Sequence, residues 1–360
     1  MDCTINVMMF GGRRCGKTSV IAAMKKCFEN IYGTDDITIS LPEQDKSAVI
    51  SDKYTEIESY INKQTQGIVF DSAIASTVEL SEYKLRVSLK SKSTESIILS
   101  LCDYPGEWLD SGHANEKQSL LSKRMKSCRI ILIAVDTVFL MEKPSSSKSD
   151  AIGIYNENRN YSRKVADMVK ESFKVSDGEE PKMIMIVPLK CEKYYNHGQM
   201  QLVNEKIHSA YKPLFDFLGG SNKTKYEVVI APILTLGANT AEFARFERDE
   251  NAEIVLDPEL KIPAITKYNF VNVNCEYSPQ YCEQPLLYSL LYLIDQIEKL
   301  KRAEKKNAPW YKKLYLAAKE YFGNIASAED FLRVKGEITG KLKTKEDGYE
   351  IVSDPLGFRL

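Results

Sequence analysis

None of the eight cysteines forms a C-x-x-C pair, and the only three histidines are His113, His197 and His208. Zinc-site spacing is therefore absent. His197 and His208 also lack catalytic companions in sequence and read as structural or surface residues. At 360 residues the chain is too long to need disulfides for folding. Its thiols are expected to stay reduced in a cytoplasmic protein. Long apolar runs are missing as well. The best, Ile130–Val135, falls far short of the roughly 18 residues that begin to suggest a membrane helix. Neither sign of charge prevails: 49 basic residues face 50 acidic ones, so no global attraction to nucleic acid or anionic membrane is implied. No repeat of fixed period occurs, which excludes a solenoid. What remains, with 43% hydrophobic and 28% charged residues, is an ordinary globular composition.

The pattern along the chain is α/β. Cys3–Phe10 is an apolar strand ended by Gly11-Gly12, and a helical pattern runs from Lys17 to about Phe28. A helix is expected around Asp52–Gln64. Strand candidates follow at Tyr83–Lys90, alternating and so at an edge or in antiparallel pairing, and at Ser96–Cys102, continuous as in a central strand. Further strands are expected at Arg129–Val135, Met183–Leu189 and Tyr226–Ile233, with helices at Asn156–Phe173 and Met200–Leu218 between them. This alternation predicts a mostly parallel sheet with crossover helices. Lys143–Asp150 reads as a flexible insertion, and residues 240–280 as an irregular excursion. Two amphipathic helices are expected at Glu283–Lys305 and Trp310–Phe322. Their basic residues are interleaved with Glu298, Glu304 and Glu320, which favours a solvated face over an RNA or lipid patch.

Two motifs carry chemistry. Gly11-Gly12-Arg13-Arg14-Cys15-Gly16-Lys17-Thr18 satisfies G-x-x-x-x-G-K-[ST] at every fixed position, between an apolar strand and a helix. Glycines let successive N–H groups turn toward phosphate, and the helix N-terminus adds positive potential. Lys17 is placed to reach the β- and γ-phosphates and the Thr18 hydroxyl to ligate Mg²⁺, with Ser19 beside it. The strand Ile97–Cys102 then delivers Asp103-Tyr104-Pro105-Gly106. The carboxylate of Asp103 suits Mg²⁺ and the Gly106 N–H suits a γ-phosphate, the D-x-x-G pattern.

Together these motifs resemble the TRAFAC-class P-loop GTPases. Asp103–Trp108, Val135-Asp136-Thr137 and Pro188–Lys193 make the chain most similar to bacterial double-GTPase-like proteins. The resemblance spans roughly residues 3–237 and implies a three-layer, Ras-like P-loop NTPase fold with a mostly parallel central sheet, plus a C-terminal helical extension. It implies that Lys190 and Glu192, in Leu189-Lys190-Cys191-Glu192, stand where the family's [N/T]-K-x-D reads guanine, with Thr235-Leu236-Gly237 as the last base-contacting loop. The acid is one methylene longer than the family's, and Leu189 replaces a polar residue. A switch Thr or Ser on the metal is also implied. Thr77 is the choice, with Ser76 and Thr65 as rivals. Glu107 occupies the position of the family's water-orienting glutamine. Arg13 and Arg14 stand where small residues are common, and either is a candidate finger in cis or a contact for an acidic partner.

The expected organisation is a P-loop GTPase domain over 1–240, an irregular insertion over 241–281, C-terminal helices over 282–325 packing on the first domain, and a tail over 326–360. The expected activity is slow, Mg²⁺-dependent hydrolysis of GTP to GDP by a molecular switch that a protein partner reads through its switch regions. The candidate catalytic residues are Lys17, Arg13, Arg14 and Glu107. The nucleotide contacts are Gly11, Gly12, Cys15, Gly16, Lys17, Thr18, Ser19, Gly106, Lys190 and Glu192, and the metal ligands Thr18, Thr77 and Asp103. The alternative is a nucleotide-gated interaction module that binds GTP or ATP with little turnover. No clear nucleic-acid contact and no integral membrane segment are expected.

Overall fold

Apolar runs with the periodicity of strands become a single large sheet in the computed structural model, which describes residues 3–31, 37–40, 43–63, 68–69, 80–89, 92–109, 115–142, 151–177, 179, 181–272, 275–302 and 335–355. The strands are β1 (Cys3–Phe10), β2 (Ile37–Ser40), β3 (Ile68–Val69), β4 (Ser81–Leu89), β5 (Lys92–Asp103), β6 (Ile130–Asp136), β7 (Lys182–Leu189), β8 (Tyr226–Ile230), β9 (Ala241–Phe246), β10 (Thr266–Phe270) and β11 (Glu350–Ser353). The main sheet has eight strands in the order β11-β8-β7-β6-β1-β5-β4-β2. Its central strands β5, β1, β6, β7 and β8 run parallel. β4, β2 and β11 add antiparallel margins. The alternating segment expected at Tyr83–Lys90 is thus the antiparallel β4, and the continuous one is the central β5.

Alternation along the central strands builds three layers. Val7, Met9, Leu132 and Met185 bury one face against the helices Lys17–Ile31, through Val20, Ile21 and Met24, and Gln284–Arg302, through Leu287, Leu291 and Ile294. Met8, Phe10, Ile131 and Ile184 bury the other face. It is covered by helices Asn115–Ser127 (Leu121, Met125), Ser162–Ser172 (Val165, Val169), Met200–Ala210 (Val203, Ile207) and Lys212–Leu218 (Leu214). All seven residues of β6 are buried, as expected for a strand covered on both faces. This is an α/β fold with a mostly parallel central sheet between helical layers. The phosphate loop and Asp103 sit at the carboxyl ends of the adjacent strands β1 and β5, where ligands bind in open α/β sheets.

Four segments differ from the sequence reading. Asn156–Phe173 is two helices, Ala151–Asn160 and Ser162–Ser172, broken at Tyr161 with φ +52°. Met200–Leu218 breaks likewise at Tyr211, ahead of Pro213, whose ring suits the first turn of a new helix. The helix expected from Asp52 begins earlier, at Gln44. Within 240–280, β9 and β10 pair antiparallel and β3 joins β10, giving a small sheet whose Phe243 and Tyr268 pack with Ile57 and Ile61 of helix Gln44–Asn62. Residues 344–353 also carry structure. β11 extends the main sheet, and the buried Tyr349 hydroxyl donates to the Pro232 carbonyl at 2.6 Å. Lys143–Asp150 and Trp310–Phe322 lie outside the described residues.

Candidate phosphate-binding site

β1 ends at Phe10, and the chain enters the loop through Gly11 (φ +155°), Arg14 (φ +57°) and Gly16 (φ +106°). Gly11 and Gly12 are required by space: a Cβ on Gly11 would lie 2.9 Å from the Ala134 carbonyl, and one on Gly12 would lie 2.0 Å from the Arg159 carbonyl. Cys15 is fully buried, so its side chain anchors the loop. Gly16 precedes the helix Lys17–Ile31, whose long run makes its N-terminus a positive end. Lys17 curls back, and its Nζ donates to the carbonyls of Gly11 and Gly12 at 2.9 and 3.0 Å. The Gly11 N–H donates to the Tyr104 hydroxyl at 3.1 Å. Burial pushes the Tyr104 phenol well above its ordinary pKa, and it stays protonated.

The second motif closes on the first. Thr18 Oγ1 donates to Asp103 Oδ2 at 2.8 Å, joining the two residues expected to share a cation. Asp103 is fully buried at the end of β5. Gly106 begins the turn Gly106–Leu109 and lies flat against the loop, so that a Cβ there would sit 2.3 Å from the Arg13 nitrogen. Glu107 pairs with Arg13 (Nε to Oε1 3.1 Å), and the exposed Glu259 carboxylate stands 3.9 Å from the same guanidinium. Asp257 next to it feels both arginines. Burial raises its carboxyl, but the N–H groups of Leu260 and Glu259 and the charges of Arg13 and Arg14 lower it on balance. The two arginines thus lie toward an acidic turn of the 241–281 segment. Ser19 is partly buried in the first turn of the helix.

β7 ends at Leu189, and Lys190 follows with φ +57°. Its Nζ donates to Asp136 Oδ2 at 2.8 Å and to the Arg14 carbonyl at 3.1 Å. Glu192 is fully buried, and its Oε1 accepts from the Leu236 N–H at 2.7 Å. The Thr235 hydroxyl stands 3.5 Å from the same oxygen. Oε2 has no hydrogen-bond partner among the described residues. Burial raises the Glu192 carboxyl to about 7, against the pull of the Leu236, Glu192 and Gly237 N–H groups and of Lys190. The structure therefore joins Lys190 to the phosphate loop through the Arg14 carbonyl, and Glu192 to the Thr235–Gly237 segment. Thr77, Ser76 and Thr65 lie outside the described residues. His208 binds Glu350 at 2.9 Å and stacks on Phe215.

Sequence reasoning passed over Tyr104, Arg159 and Asn160 and gave Asp136 no role. Asp136 closes β6 with no exposure, and one of its oxygens accepts from both Lys190 and Arg159 Nε, the latter at 3.0 Å. The Asn160 carboxamide brackets the Asp136 main chain, its Oδ1 accepting the Asp136 N–H at 2.8 Å and its Nδ2 donating to the Asp136 carbonyl at 3.2 Å. An acid at the end of a buried strand is a signal the sequence did carry. The arginine and asparagine, 23 and 24 residues further along, gave none.

Among the described residues no cluster of three His, Cys, Asp or Glu side chains that could hold a metal occurs, and no helix is long and apolar enough to cross a membrane. No protein-family model matches the chain, and no curated protein does. Among solved structures it is similar to the Ski7 GTPase-like domain of S. cerevisiae. The form bound to GDP and inorganic phosphate is 11% identical, with a TM-score of 0.32 over 64% of this chain and 43% of that chain. The GTP-bound form is 12% identical, with a TM-score of 0.32 over 66% and 44%. The chain spans less than half the length of either. A likeness this distant leaves the chemistry to the residues themselves.

Proposed function

We propose that this protein binds GTP and Mg²⁺ at the carboxyl edge of β1, β5 and β7 and hydrolyses the nucleotide slowly to GDP, as a switch read by a protein partner. The observation that carries this reading is the joining of the two motifs: Thr18 Oγ1 and Asp103 Oδ2 lie 2.8 Å apart beside a loop that folds around Lys17. A hydroxyl and a carboxylate are the oxygen donors Mg²⁺ takes, and it characteristically completes its shell with water and substrate phosphates. Thr18 and Asp103 would hold it, and Thr77 is retained as the third ligand. The bound metal would neutralise charge developing on the phosphates.

Lys17 leaves the Gly11 and Gly12 carbonyls to meet the β- and γ-phosphates, while the loop N–H groups take their oxygens. Gly106 offers its N–H to the γ-phosphate, and water attacks in line. Arg13 or Arg14 adds positive charge at the transition state. The guanine ring lies between Lys190 and Glu192. The carboxylate accepts from the ring N1–H and the exocyclic amine, and Oε2, which has no hydrogen-bond partner among the described residues, supports that role. Residues 1–240, with the later segments packed on them, constitute the nucleotide unit in this reading.

A second reading is favoured by one contact. Glu107, where a water-orienting group is expected, is paired with Arg13 at 3.1 Å. A site with both residues so engaged suits a nucleotide-gated module of little turnover that recruits a partner. Single-turnover hydrolysis of GTP separates the two: measurable release of phosphate supports the switch, and tight binding without release supports the module.

A further inference from the structure

We infer that Arg159 is a positioning residue for the phosphate loop, an inference that rests on the nucleotide reading above. Its side chain is 4% exposed and spans two groups: Nε donates to Asp136 Oδ2 at 3.0 Å and Nη2 donates to the Arg14 carbonyl at 3.1 Å. Lys190 makes the same pair of contacts from the opposite element, at 2.8 and 3.1 Å. One buried carboxylate thus holds two cations, and both cations hold one carbonyl of the loop.

That carbonyl belongs to Arg14, whose φ of +57° is a conformation unfavourable to any residue with a Cβ. A left-handed residue within such a turn directs neighbouring N–H groups to one side, which makes an anion-binding nest. Its carbonyl then needs donors of its own, and Arg159 and Lys190 supply them. Arg159 also acts through its backbone. Its carbonyl lies against Gly12, where a Cβ would be 2.0 Å away, so the same residue bounds the loop at two points. The guanidinium in turn packs over the Phe139 ring, 4.6 Å from its centroid. The Asn160 carboxamide, bonded to both the N–H and the carbonyl of Asp136 and to Asn156, fixes the end of the helix Ala151–Asn160 that presents Arg159. The charges of Arg159 and Lys190 stand beside the loop, at the carbonyl of Arg14, which favours an anionic ligand in ground state and transition state alike.

Acting on loop shape and ground-state charge, Arg159 affects binding of every nucleotide phosphate and not the chemical step. The experiment compares equilibrium binding of GDP and GTP with Mg²⁺, and single-turnover hydrolysis at saturation, in wild type, Arg159→Gln, Arg159→Lys and Arg159→Gln combined with Arg14→Gly. Arg159→Gln is expected to weaken GDP and GTP to a similar degree, by roughly 10- to 100-fold for a lost charged hydrogen bond, with the rate at saturation within about twofold of wild type. Arg159→Lys keeps the charge and should recover part of the loss. Arg14→Gly in the Gln background should recover part as well, because glycine adopts positive φ without strain. Thermal unfolding of each variant shows whether the fold is intact, and if Arg159→Gln does not fold, the Lys variant carries the comparison. Wild-type affinity in the Arg159 variants, or a rate loss with affinity intact, overturns the inference and leaves the nucleotide reading standing. A wild-type protein that binds neither GTP nor GDP overturns that reading and this inference with it.

Discussion

If Glu192 reads guanine as proposed, lowering the pH from 8 to 5.5 should abolish a preference for GTP over ATP. Glu192 is fully buried, one of its oxygens is engaged by the Leu236 N–H at 2.7 Å and the other has no hydrogen-bond partner among the described residues. Burial raises the carboxyl from 4.5 to about 7. Guanine requires the ionised form, and at pH 5.5 only about 3% of the nucleotide-free protein carries it, so the apparent affinity falls about 30-fold from its value at pH 8. Adenine offers no donor at its N1, and the triphosphate titrates alike in both nucleotides. The GTP-to-ATP affinity ratio therefore isolates Glu192. Stability moves in the opposite sense. A folded pKa above the unfolded one stabilises the native state fully below pH 4.5, and that contribution is lost as the pH rises through 7. At 1.36 kcal/mol per unit the difference between 4.5 and about 7 amounts to about 3 kcal/mol. Glu192→Gln, which cannot ionise, should gain on wild type by up to that amount across this window while losing the guanine preference at every pH. The assays are competition binding and denaturant unfolding at matched pH. A ratio that stays flat from pH 5.5 to 8, or a Gln variant with the wild-type slope, would show that Glu192 does not read guanine.

Asp103→Ala is expected to raise the Mg²⁺ concentration needed for half-maximal GTP binding by roughly tenfold or more while sparing GDP affinity in chelator. A Mg²⁺ titration matching wild type removes Asp103 from the site. Arg13→Ala should keep GTP affinity within a few-fold and lower single-turnover hydrolysis by at least about tenfold, since a charge used in the transition state acts on rate. Unchanged turnover with lost capture of a partner would assign Arg13 to recruitment instead.

The sheet was legible because its strands are short apolar runs with turn residues between them, and the full burial of β6 matches the unbroken run Ile130–Val135. The phosphate loop was legible because its glycines and Lys17 are fixed by local geometry. What escaped was set by contacts distant in sequence. The break at Tyr161 has no glycine or proline to announce it. It accompanies the bonding of Asn160 to the Asp136 main chain, 24 residues earlier. β9 and β10 hide among charged residues because only one face of the small sheet is buried. β11 is four residues long and partly exposed, too brief for periodicity to reveal. Glu192 was legible by spacing from Lys190, but its depth of burial was not, since that depends on the Thr235–Gly237 loop closing over it.

Nucleotide binding by the phosphate loop is tested most directly by equilibrium binding of GTP with Mg²⁺ to wild type and to Lys17→Ala, followed by calorimetry at constant pH. Lys17 is 6% exposed and held by the Gly11 and Gly12 carbonyls inside the loop it would serve. Saturable binding at one site is expected in wild type and none detectable in the variant, with both proteins folded by circular dichroism. Equal affinity in the two proteins, or no binding by wild type, would contradict this expectation.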